Sequence, residues 1–97
     1  MTMLTNEEIV AQFVTKASED AKSSGMIYMN GVLYSYGPHW PLAIWTSFDG
    51  ISGVYVNMTK RSITTQRNVN LVTKALTQAD IAFRMQEIQV MKGLLDE

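Results

Sequence analysis

One stretch of the chain joins cations and hydroxyls at a spacing that could hold an anion: Lys60-Arg61-Ser62-Ile63-Thr64-Thr65-Gln66-Arg67. The residues from Gln66 to Leu76 suit a helix, and Thr64 or Thr65 is the expected N-cap. Free amides and the positive end of the helix dipole favour a phosphate or carboxylate there. Arg67 in the first turn could add a forked positive charge. The candidate anion or nucleic-acid set is therefore Lys60, Arg61, Ser62, Thr64, Thr65 and Arg67. No acid lies between Met58 and Leu76, where Lys74 is the remaining cation, whereas both chain ends are acidic. A formal net charge of −1 argues against a surface built throughout for nucleic acid.

A second candidate is the loop in which Pro38 and Pro41 bracket His39 and Trp40. His39 is the sole imidazole, and no acid lies nearer in sequence than Asp49 to orient it for nucleophilic catalysis. A rigid aromatic tip instead suits contact with a partner, because tryptophan offers large area at small entropic cost. Tyr36, His39 and Trp40 form the expected partner-binding set, with the loop exposed. One histidine, no cysteine and scattered acids present no metal-ligand spacing, and the glycines fall between strands rather than in a phosphate loop. No cofactor, no metal and no enzymatic activity are expected.

These residues need elements to carry them. Thr5 followed by Glu8 is a capping box, so a helix starts there. Val10, Phe13, Val14, Ala17 and Ala21 extend it as one apolar stripe, closed by Ser23, Ser24 and Gly25. Asn30-Gly31 between β-prone runs marks a hairpin of Met26–Met29 and Val32–Tyr36. Leu42–Thr46 reads as a third strand and Val54–Met58 as a fourth that could run on to Ile63, with Asp49-Gly50 and Ser52-Gly53 as turns. Tyr34 and Tyr36 share a face with Val32, suggesting burial under a helix. After the Gln66–Leu76 helix, Thr77 could cap a final helix with two apolar stripes, one of Ile81, Met85, Ile88, Met91 and Leu95 and one of Phe83, Val90 and Leu94. The expected fold is α+β: an N-terminal helix, a small antiparallel sheet of about four strands, and one or two C-terminal helices packed on one face.

At 97 residues, 46% hydrophobic and 18% charged, the chain fits a single domain, 1–97, and is too apolar for intrinsic disorder. No apolar run reaches the length of a bilayer span and the N-terminus lacks a signal-peptide pattern, so a cytoplasmic location without membrane contact is expected. A small core favours self-association. The surplus stripe Phe83, Val90 and Leu94 is the expected homodimer interface.

Leu33-Tyr34-Ser35-Tyr36-Gly37, then Pro41-Leu42-Ala43, then Ser62-Ile63-Thr64-Thr65 before a helix resemble a pattern in small proteins carried by tailed phages and plasmids. The likeness spans Val32 to Leu76. Arg61 stands where that pattern often has an aromatic. The resemblance implies a mobile-element origin. The expected function is a non-enzymatic binding or inhibitor protein that occupies a host protein in the host cytoplasm, with a defence component as one candidate. The alternative is a nucleic-acid, nucleotide or anion-binding module using residues 60–67.

Overall fold

The computed structural model describes residues 2–35, 40–59 and 61–95. Its order is β1 (Thr2–Met3), α1 (Asn6–Val14), β2 (Ala21–Lys22), β3 (Met26–Met29), β4 (Val32–Ser35), β5 (Pro41–Phe48), β6 (Ile51–Asn57), α2 (Ile63–Gln78), β7 (Phe83–Gln86) and α3 (Ile88–Leu95). The fold is α+β, with the expected N-terminal helix. The sheet, however, has seven strands in sequence order and is mixed, because β1 pairs parallel to β2 and β6 parallel to β7. The four pairings between β2 and β6 are antiparallel.

That arithmetic places the helices. An even number of antiparallel steps gives β2 and β6 the same direction, so β1-α1-β2 and β6-α2-β7 step the same way along the sheet. Right-handed crossovers then put α1 and α2 side by side on one face, running in the same direction. Beneath them lie Tyr28, Leu33, Ala43 and Val56, paired in register from β3 to β6. With Ile9, Phe13, Val69, Val72 and Leu76 of the helices they form the core. The indole of Trp45 donates to the Phe13 carbonyl at 2.8 Å and the Tyr28 hydroxyl to the Ala17 carbonyl at 2.6 Å.

The other face carries the row Met29, Val32, Ile44, Tyr55 and Arg84. α3 approaches β5 and β6 without comparable approach to α1 or α2, which places it on this opposite face. The C-terminal helices therefore do not share a face. Tyr34, paired with Ile27 on this side, does not lie under α1 or α2.

Three local expectations change for physical reasons. The first helix stops at Val14, not near Ser24, because Lys16 takes a left-handed φ of 55°. Its amide donates to Phe13 O, and that of Ala17 to Gln12 O, a Schellman closure built without glycine. Ala21 is still buried, but from β2. Asp80, at φ 56°, closes α2 in the same way, with the Asp80 amide on Thr77 O and the Ile81 amide on Leu76 O. The chain then enters β7, so no single long C-terminal helix exists. Phe83 belongs to β7 and packs against the core, while Val90 and Leu94 belong to α3. The three do not form one stripe, and the geometric basis of the expected dimer interface is removed.

Third, Ser52-Gly53 is not a turn but part of β6, which ends at Asn57 instead of continuing toward Ile63. Gly53 is required for space: a Cβ there would lie 2.5 Å from the Phe48 ring and 2.9 Å from the Ala82 carbonyl. The Asn30-Gly31 and Asp49-Gly50 turns have φ of 52°, 80°, 53° and 77°, as two-residue hairpins require.

Candidate functional site

The helix that carries the basic stretch has three faces. Toward the sheet it buries Thr65, Asn68, Val69, Val72 and Leu76. Its N-cap is Ser62, not Thr64 or Thr65: the Ser62 hydroxyl accepts from the Thr65 amide at 3.1 Å and donates to the Thr65 hydroxyl at 3.0 Å. Thr65 is thus buried and unable to meet a ligand, and the capping hydroxyl is already engaged. Of the expected set, the described members Arg61, Ser62, Thr64, Thr65 and Arg67 are not brought together.

Helical geometry sends its members two ways. Arg61 and Ser62, with Ile63 and Gln66, line one hollow, and the Arg61 guanidinium lies over the Trp40 ring, 4.9 Å from its centroid. Trp40 is half-buried and packs against the core, which corrects its expected placement at an exposed tip. The Ser35 amide donates to the Trp40 carbonyl at 2.9 Å. Tyr36, His39 and Lys60 lie outside the described residues.

Thr64 and Arg67 turn the other way, into a groove between α1 and α2. With Asn6, Asn68, Asn70, Leu71 and Lys74 they line a hollow of about 450 Å³ bordered mainly by residues of polar type. It adjoins a more apolar hollow of about 460 Å³, whose floor and walls are Val10, Ala11, Val14, Leu71, Ala75 and Ala79. Leu71 and Lys74 border both, so the two hollows are neighbours along α2. Lengths explain the difference between them. At about 1.5 Å per residue, α2 with 16 residues outruns α1 with 9, so the N-terminal turns of α2 project past the apolar wall that α1 supplies.

The polar end is braced from below. Asn68 donates to the Gly25 carbonyl at 3.3 Å, and the Ser23 hydroxyl donates to the Asn6 side chain at 2.6 Å while accepting from the Met26 amide. This network joins both helices to the turn before β3, giving the groove a fixed spacing. Arg67 and Lys74 are exposed and form no ion pair among the described residues, where the ion pair is Arg84–Asp49. Glu7 also lines the groove, leaving two cations against one acid.

The opposite sheet face holds a second surface. Phe48 and Tyr55 stack at 5.7 Å, and Arg84 covers Phe48 at 4.4 Å while pairing with Asp49. Burial pushes the Tyr34 hydroxyl above its ordinary pKa. Here the aromatics are occupied by one another and by an ion-paired arginine. Among the described residues no group of three His, Cys, Asp or Glu could hold a metal ion, and no helix is long and apolar enough to cross a membrane.

The apolar half of the groove was not foreseen from sequence. Its one signal is the continuation of Thr64 and Arg67 at helical spacing through Leu71, Lys74 and Ala75, and which neighbour that line would face depends on the crossover. No protein-family model matches the chain, and neither a curated protein nor a solved structure is significantly similar to it.

Proposed function

We propose that this chain is a non-enzymatic binding protein of a phage-like mobile element, acting in the host cytoplasm by occupying a host protein, with a component of host defence as one candidate. The observation that carries the reading is the α1/α2 groove: small apolar side chains on the floor, long cations at one end, and a braced spacing. Such a lining offers a partner apolar surface to bury and charges that set its orientation and register. The phage-like pattern across Val32 to Leu76 supports the mobile-element origin.

The test is site-specific photo-cross-linking in host cells from Ala11, which is exposed and lines the groove, with exposed Ser47 as a remote control. A host protein captured from Ala11, absent from Ser47, and lost in Arg67→Glu is the expected result. Capture from Ser47 with none from Ala11 would reject the groove.

A second reading, binding of a nucleotide or nucleic acid, draws on Thr64, Arg67 and Lys74 in the polar half, where both cations lack an acidic partner among the described residues. Affinity for a short oligonucleotide that collapses between low and moderate salt would favour it, because phosphate contacts release counterions.

A further inference from the structure

Resting on the groove reading above, we infer that the partner enters the α1/α2 groove as an amphipathic helix carrying two carboxylates about two turns apart, followed beyond the second by small or medium apolar side chains. α1 and α2 lie parallel, and each lines the groove with residues three or four apart: Glu7, Val10 or Ala11, and Val14 or Thr15 on one side; Leu71, Lys74 or Ala75, and Gln78 on the other. Two such ridges leave a trough shaped for the ridge of a third helix. An extended strand would find no sheet edge to pair with along these helix flanks.

The charges choose the occupant. Arg67 and Lys74 stand seven positions apart on α2, about 10 Å along its axis. Acids at i and i+7 of a docked helix have the same spacing, so both can pair at once. Both cations are exposed and without an acidic partner among the described residues, so pairing displaces water without breaking an internal bridge. Glu7, beside the apolar half, disfavours a third acid there and suits a cation on the docked helix. The floor of Val10, Val14, Leu71 and Ala75 is aliphatic, which suits alanine, valine or leucine on the docked helix.

The test is selection from a displayed library of helix-constrained peptides on the whole protein, with parallel selection on Ala11→Trp, which fills the groove from an exposed position. Peptides enriched on the unaltered protein but not on Ala11→Trp should carry Asp or Glu at i and i+7. A synthetic peptide of that sequence should lose about tenfold in affinity for Arg67→Glu/Lys74→Glu, and its lysine-swapped version should gain with that variant. Both altered sites are exposed, and circular dichroism verifies that the variants fold.

Enriched peptides without the acid pair, an unchanged preference in the charge-swapped variant, or equal enrichment on Ala11→Trp would overturn the inference. So would a short oligonucleotide that binds the groove when no peptide is enriched. Failure of the parent reading looks different. With the cross-linker moved to Gln78, which is also exposed and lines the groove, Ala11→Trp that blocks host-protein capture while the library yields no acidic helix leaves the groove standing and removes this occupant. Ala11→Trp that leaves capture from Gln78 intact removes the groove itself.

Discussion

The indole nitrogen of Trp45, on β5, donates to the main-chain carbonyl of Phe13, one residue before the end of α1, at 2.8 Å. The Phe13 carbonyl also accepts from the Lys16 amide at 3.1 Å, so one oxygen ties the helix closure to the sheet. The Phe13 and Trp45 rings lie 6.0 Å apart, and the Lys16 ammonium sits 4.3 Å from the Trp45 centroid. Trp45→Phe keeps most of the packing and removes the donor. It should cost about 1 kcal/mol in urea unfolding.

Capping separates Ser62 from its threonine neighbours. Ser62→Ala removes the acceptor of the Thr65 amide and should destabilise by about 1 kcal/mol. Exposed Thr64→Ala should change chemical denaturation little, though it alters the groove. Equal losses from both would place the cap elsewhere.

Two glycines should respond with opposite sign. Gly53→Ala drives a methyl into the Phe48 ring and the Ala82 carbonyl and should cost about 1–3 kcal/mol. Gly93→Ala, within α3 and facing open space, should instead gain about 0.5–1 kcal/mol by reducing the freedom of the unfolded chain. Thermal melts of the two variants check both signs.

Trp40→Ala should destabilise the fold by about 2 kcal/mol, since the half-buried ring packs on the core and carries Arg61. A variant with unchanged melting temperature would return this residue to the role of a free contact tip.

Alkaline pH should weaken the fold through its tyrosines. Burial raises the pKa of Tyr28, aided by the Asp20 carboxylate, and burial alone raises that of Tyr34, both from an ordinary 10.0. As pH rises past about 10 the unfolded chain releases these protons first, so it binds fewer than the folded state and stability falls with pH. The decline continues until the folded-state pKa values are passed. Tyr34→Phe should reduce the slope in urea titrations above pH 10, without touching the Tyr28 bond to Ala17.

Signals that act within a few residues were legible in the sequence. The Thr5–Glu8 capping box forms with both hydrogen bonds, and the two dipeptide turns take the backbone their glycines permit. The α+β class, the Met26–Met29 and Val32–Ser35 hairpin and the core identity of Phe13, Val10 and Ala21 follow from these and from hydrophobic spacing. Binary spacing cannot say where a stripe changes element, however. Ala17 and Ala21 sit on the helical repeat of Val10 and Phe13, yet Lys16 ends the helix before them.

Tertiary structure decided the rest, because the deciding partners are far apart in sequence. Lys16 and Asp80 hold a left-handed backbone that glycine would have advertised, and the closures free residues on either side to reach β2 and β7. Parallel pairing of β7 with β6 makes Phe83 to Gln86 an edge strand rather than part of a helix, with Val54 donating to the Ala82 carbonyl just before the ladder begins. The basic stretch had its residue types written plainly, but its division between Trp40 and the α1 groove depends on where Ser62 starts the helix and on which face the right-handed crossovers place it. Arg67 faces α1 because four antiparallel pairings separate the two parallel ones, a count that no local motif contains.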